Sequence, residues 1–145
     1  MRPLKFRAWD GKKMCFPSVY EFGINGVNGL PSIAFQLPDG GYCTSANIMQ
    51  FTGLLDRQGQ EIYEEDVVAI EAEDGRTNKL VVRFGIARRE MKSGWMVDIP
   101  SFYFDLIGGD FKAFPIVKNY KGVHDLSIME ILGNIYEHPH LVEPT

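Results

Sequence analysis

"MQFTGLLDRQGQEIYEEDVV", residues 49–68, is the stretch on which the reading of this chain turns. An apolar run ends at a polar turn, Asp56–Gly59, and the carboxylate triplet Glu64-Glu65-Asp66 precedes a β-branched run. Ile48–Leu55 has the composition of a strand. "DRQG" sets Asp at the first turn position and Gly at the fourth, the pattern of a type I turn with a G1 bulge. "EIY" resumes an extended segment, and Asp66–Glu73, "DVVAIEAE", reads as a strand rich in β-branched residues. The triplet invites an acid–base or metal reading, because carboxylates held about 5–9 Å apart across a cleft do such work. Neighbours on an extended chain point to opposite faces, however, so these three do not converge unaided. Asp66 is better read as accepting backbone N–H groups at a turn. Asp56, Gly59, Glu64, Glu65 and Asp66 are expected to mark a fold rather than a reaction.

Outward from this stretch the pattern stays β. Leu4–Trp9, "LKFRAW", alternates Leu4, Phe6 and Ala8 against Lys5, Arg7 and Trp9, with the Lys and Arg stems leaning along the sheet. The turn "DGKK", Asp10–Lys13, and the return "MCF" make the opening a hairpin. Residues 17–47 are rich in turn formers, with "IAFQL", Ile33–Leu37, as a strand and "PDGG", Pro38–Gly41, as a turn. "KLVVRFG", Lys79–Gly85, alternates and is expected to pair with 66–73. In Ile86–Ile99, Arg88, Arg89 and Lys92 read as the start of a helical turn that Gly94 stops, before the strand "WMVDI". Phe102–Ile107, "FYFDLI", is extended, and Pro115 restricts 111–120 to an edge strand or a break. At the end, Ile128, Ile131, Leu132 and Ile135 fit a helical face. Gly133 and the β-branched Ile residues decide for a strand over 128–136.

A length of 145 residues suits one domain with a core that needs no staples. The 18 aromatics, with 15 Gly and 8 Pro, favour short strands and turns over long helices. The expectation is a single, mostly β domain over 1–145, with a large mixed or antiparallel twisted sheet. It should be partly barrel-like, with few short helical turns. A net charge of −4 argues against non-specific nucleic-acid binding, which depends on neutralising several phosphates. No leader pattern and no apolar run of membrane-spanning length is visible, which points to the cytoplasm, no membrane, and reduced thiols at Cys15 and Cys43.

Chemistry has few candidates. Arg83, Arg88, Arg89 and Lys92, with Trp95 and Tyr103 nearby, resemble a basic-aromatic patch for stacking on single strands. The plainer alternative is a solvated face with its aromatics in the core. His138 and His140 flank Pro139 and are metal-ligand candidates with Glu137 or His124, but no Cys or third His stands at finger-like spacing. Cys43 is a better nucleophile candidate than Cys15, and neither has a His base beside it in sequence. The spaced glycines of "GINGVNG", Gly23–Gly29, lack a phosphate loop's context. No cofactor is expected.

Three segments, "KFRAWD", "MQFTGLLDRQGQEIYEEDVV" and "EILGNIYEHPHL", come in the order in which the YopX family of phage and prophage proteins carries them. Together they bracket nearly the whole chain, which resembles that family, with 86–125 as its variable part. The middle motif is the specific one, combining Thr52-Gly53-Leu54, the Asp56–Gly59 turn, Ile62-Tyr63-Glu64 and Asp66-x-Val68. The family usually has Gly where this chain has Glu65; if that Gly supplies a positive φ, the turn here is rearranged or strained. The resemblance implies a mostly β fold with a large mixed sheet, a phage or prophage origin in a bacterium, and a cytoplasmic location. It implies no activity and no catalytic residues.

Three functional classes follow. The first is a non-enzymatic interaction or structural module with a phage or host protein partner, forming a homo-oligomer through the aromatic 102–117 region. The second is a nucleic-acid-associated accessory protein using the Arg88–Lys92 patch, and the third is a small metal-dependent enzyme using His138 and His140.

Overall fold

Apolar and polar residues alternate at period two through most of this chain. In the computed structural model they form twelve strands and no α-helix among the described residues. The structure describes residues 4–16, 19–24, 31–36, 42–43, 47–71, 74–113 and 129–143. Pairing is antiparallel throughout the described sheets, so the fold is mostly β, as expected. The backbone clusters into two compact units, Met1–Phe51 and Thr52–Thr145.

In the first unit, β1 (Phe6–Trp9) pairs on one side with β2 (Met14–Cys15) and on the other with the start of β6 (Asn47–Leu55). The opening hairpin is therefore present. Its turn is held by the Asp10 carboxylate, which accepts the N–H groups of Lys12 at 2.7 Å and Lys13 at 2.8 Å. Ala8, Met49 and Phe51 are buried, and so is Arg7, which the alternation sets on the face opposite Ala8. Cys15 is buried, and its thiol donates to the Asp10 carboxylate at 3.7 Å. A separate sheet joins β3 (Val19–Ile24), β4 (Pro31–Gln36) and β5 (Tyr42–Cys43). The strand read at Ile33–Leu37 is present through Gln36, while Leu37 and the "PDGG" turn lie outside the described residues.

In the second unit, β6 ends at Leu55 and the chain returns through β7 (Glu61–Tyr63). A five-stranded sheet follows, built from β8 (Asp66–Glu71), β9 (Thr77–Glu90), β10 (Met96–Leu106), β11 (Lys112–Ala113) and β12 (Met129–Asn134). Its order is β11-β10-β9-β8-β12, a meander whose open β8 edge is taken by the last strand. Ile62, Val68, Leu80, Val82, Phe104 and Met129 form the core, with Leu54, Ile70, Leu106, Ala113 and Ile131 packed against them. Each such side chain, fully buried, contributes on the order of 1.5–3 kcal/mol.

The competing patterns at 128–136 resolve as the strand reading. Met129, Glu130 and Ile131 pair with Ile70, Ala69 and Val68, and a bulge then shifts the register so that Gly133 faces Val67. Ile128, part of the helical face considered, lies outside the described residues, as do His124 and Pro115. The only helical turn among the described residues is a 3-10 turn at Pro139–Leu141. The turn expected at Arg88–Lys92 is not helical. β9 runs extended to Glu90, and cross-strand pairing from Leu80↔Leu106 to Glu90↔Met96 gives its backbone a sheet partner that a helical turn would forfeit. Met91–Trp95 closes this hairpin, with Met91 N–H donating to the Trp95 carbonyl at 2.7 Å.

Candidate functional site

Asp56 and Asp66 of the 49–68 stretch are committed to backbone donors, and Glu65 to an arginine. Asp56, buried, accepts the N–H groups of Gln58 and Gln60 on Oδ1, both at 2.9 Å, and that of Ile131 on Oδ2 at 3.2 Å. Burial pushes this carboxyl up, but the three donors and the adjacent Arg57 outweigh it and hold the group below the usual carboxylate range. The turn closes as its sequence predicts: Gly59 N–H donates to the Asp56 carbonyl at 3.0 Å, and Gly59 takes the positive φ, 81°, that the pattern requires of it. The same turn grips β12 a second time, through Arg57 N–H to the Met129 carbonyl at 2.9 Å and an Arg57–Glu130 ion pair.

The triplet diverges. Asp66 is buried and accepts Tyr63 N–H at 2.8 Å across the two-residue turn Glu64-Glu65. Glu65 sits at φ 66°, the one described non-glycine residue in the left-handed region. Its N–H donates to the Val82 carbonyl at 2.8 Å, its carbonyl accepts Ile135 N–H at 3.1 Å, and its carboxylate pairs with Arg83 at 2.5 Å. Glu65 thus adopts directly the conformation that a glycine would supply there. Tyr136 lies by this turn, and burial, with the Glu65 and Glu64 charges, pushes its phenol up against the opposing pull of Arg83.

His138 and His140 lie near each other, ring centroids 6.2 Å apart, but among the described residues no three metal-ligating groups converge. His138 has a structural position: its ring packs on Gly133, and its Nδ1 accepts Asn134 N–H at 3.4 Å. Asn134 in turn caps the following turn, its Oδ1 accepting the N–H groups of Tyr136 and Glu137. A groove of about 400 Å³ is lined by Thr77, Lys79, Leu106, Gly108, Leu141 and Glu143 among others.

The basic-aromatic candidates all fall on the β9–β10 hairpin, and the structure divides them. Arg83 is engaged by Glu65, and Arg88 by Asp98 directly across the strands, with Nε–Oδ1 at 2.7 Å and a second bond at 3.0 Å. That forked pairing lifts the guanidinium and holds the Asp98 carboxyl below its ordinary range. Lys92 and Trp95 occupy the exposed tip, Trp95 with 74% of its surface in solvent, and Arg89 lies on β9 opposite Val97.

What the residue pattern did not single out is the apolar surface of this hairpin. On one face the cross-strand pairs Leu80/Leu106 and Val82/Phe104 lie in or against the core. The next two pairs, Phe84/Phe102 and Ile86/Pro100, carry the same stripe outward, and Arg88/Asp98 closes it. The Phe84 and Phe102 rings meet edge to face at 5.0 Å. Phe102 and Phe104 are buried, whereas Phe84 is 57% and Ile86 69% exposed. Met91, Trp95, Met96 and Val97 add exposed apolar side chains around the tip. Pairing with β8 reaches only to Val81, and β11 meets β10 only at Phe104 and Asp105, so among the described residues the outer hairpin has no third strand. The period-two alternation of Phe84 and Ile86 was the available signal; what hid it was the three cations at 88–92, read as a helical start.

No helix among the described residues is long and apolar enough to cross a membrane. Among solved structures, protein EF1440 from Enterococcus faecalis is 25% identical to this chain, with a TM-score of 0.55 over 99% of this chain and 100% of that one. Protein yopX from Bacillus subtilis is 18% identical, with a TM-score of 0.48 over 99% and 100% of the two chains. No curated protein sequence matches. The family model described as YopX protein matches residues 5–143, end to end with the three motifs, and the chain belongs to the YopX family.

Proposed function

We propose that this protein is a non-enzymatic interaction module that binds a protein partner through the outer β9–β10 hairpin, in the phage or prophage setting and cytoplasmic location that the family resemblance implies. One observation carries the reading: the core's apolar stripe continues past the last covering strand onto a ribbon where Phe84 and Ile86 face solvent. Isolated two-stranded hairpins are marginally stable in water, and contiguous exposed apolar surface marks sites of association. Asp56, Glu65 and Asp66 support the same reading, since each is spent on holding the fold. Nucleic acid is the weaker partner, because Arg83 and Arg88 are already neutralised by Glu65 and Asp98 while the exposed surface around them is largely apolar.

The test is a photo-crosslinking residue, p-benzoylphenylalanine, placed at Ile86 in the full chain in cells, with the exposed Arg76 as the control position. Covalent protein adducts from position 86 and not from 76 support the reading. Equal labelling at both positions, or adducts to nucleic acid alone, overturns it.

A further inference from the structure

The regulation of this surface can be specified further, resting on the reading just given: we infer that the hairpin tip is oxidation-sensitive, and that a peroxide converts Met91 and Met96 to sulfoxides and so weakens binding of the protein partner. Three observations on the methionines converge on that step.

The first is selective access. Met91 is 52% and Met96 55% exposed, whereas Met49 and Met129 are each 1% exposed. Oxidation by peroxide follows access to the thioether sulfur, so the tip pair reacts while the buried pair is shielded. Cys15 is buried and shielded with them.

The second is placement. Met91 N–H donates to the Trp95 carbonyl at 2.7 Å, Gly94 N–H donates to the Met91 carbonyl at 2.8 Å, and Glu90 pairs with Met96 at the end of the ladder. The two methionines bracket the turn, which backbone hydrogen bonds close. Oxidation there changes the surface and leaves the fold in place. At Met129, in the core cluster, the same change would set a polar group among apolar side chains.

The third is composition. Phe84, Ile86, Met91, Trp95, Met96 and Val97 are the exposed large apolar side chains of the hairpin, so two of the six carry a thioether. In the reaction a sulfur lone pair attacks one peroxide oxygen, and the S–O bond forms as the O–O bond breaks. Sulfur gives up two electrons, and hydrogen peroxide is reduced to water, which keeps both hydrogens. The sulfoxide is a strong hydrogen-bond acceptor, and burying it against an apolar partner strips it of water. Methionine sulfoxide reductases reverse the step with a dithiol as reductant, which yields the thioether, water and a disulfide.

Hydrogen peroxide on the purified full chain, followed by peptide mass mapping, tests the chemistry. Sulfoxide is expected to form at Met91 and Met96 about tenfold faster or more than at Met49 and Met129, with the far-UV spectrum unaltered. Equal rates at the four positions, or a far-UV spectrum lost as the tip pair reacts, overturn the inference. The consequence is read with p-benzoylphenylalanine at position 86, in chain oxidised or left untreated, freed of peroxide and irradiated in a lysate of the cells used for crosslinking. Oxidation is expected to lower the yield of protein adducts about fivefold or more. The double variant Met91→Leu/Met96→Leu, apolar and inert to peroxide, should give the same yield before and after treatment. A yield that oxidation leaves unchanged, or one that falls equally in the double variant, overturns the inference and leaves the interaction reading standing. No adduct from the untreated chain overturns both.

Discussion

The Asp56 carboxylate reaches across 75 residues of chain to accept the backbone N–H of Ile131 at 3.2 Å. Its other oxygen holds the N–H groups of Gln58 and Gln60, so one buried side chain both shapes the β6–β7 turn and fastens the last strand of the sheet. The most patterned segment of the sequence is a clasp between two distant pieces of chain, and its acidity serves the backbone.

Asp56→Ala leaves three N–H donors without their acceptor in a poorly solvated place. The expected loss is about 3 kcal/mol, which for a chain of this size lowers the melting midpoint by roughly 10 °C. Asp56→Asn keeps an acceptor for Gln58 and Gln60 but turns an amide donor towards Ile131 N–H, and should lie between wild type and Ala. Thermal and urea unfolding measure both.

The acid limb of the stability curve follows from the same group. Its folded pKa is depressed below the ordinary aspartate range, so the folded state binds this proton less readily than the unfolded state does. Its stabilisation is complete above that value and fades as pH falls through the lower folded pKa. Wild type should therefore lose stability below about pH 4 more steeply than Asp56→Asn, as followed by urea midpoints. Parallel curves would show that other carboxylates govern the acid limb.

Glu65 holds a left-handed backbone that costs a non-glycine residue about 1 kcal/mol, offset in part by its half-exposed pairing with Arg83. Glu65→Gly should be as stable as wild type or up to about 1 kcal/mol more so. Glu65→Val, β-branched and unpaired, should lose about 2 kcal/mol. Equal stability of the Gly and Val variants would refute the conformational account of this turn.

A Cβ built on Gly133 would overlap Nδ1 of His138 and stand 2.8 Å from its Cγ. Gly133→Ala should cost about 2 kcal/mol by overpacking, and adding His138→Ala should recover part of the loss, a coupling that a double-mutant cycle reads directly. Because His138 is placed by Gly133 and Asn134, added Zn²⁺ should leave the melting midpoint unchanged. A rise with stoichiometric binding would restore the metal reading of His138 and His140.

How far the sequence could be read depended on how local each signal was. Asp56 and Gly59 specify their turn within four residues, and alternation over 66–73 and 79–85 matched the β8–β9 pairing. β12 was legible because Gly133 and its β-branched neighbours disfavoured a helix, even though the pairing that decides the matter, with β8, lies some 60 residues away. The run Ile86–Lys92 misled for the converse reason. Its Arg-Arg-Glu-Met-Lys composition suits a helix, and only the cross-strand partners from Met96 to Pro100 hold it extended. The exposure of Phe84 and Ile86 depends on which strands stop short, a property of register that no window of sequence contains.

The central claim, that the outer β9–β10 hairpin is an association surface, is tested most directly by crosslinking in cells from p-benzoylphenylalanine at Ile86, with the exposed Arg76 as control. Covalent protein adducts from position 86 and not from 76 are the result the account predicts. Equal labelling at both positions, or adducts to nucleic acid alone, would contradict the account.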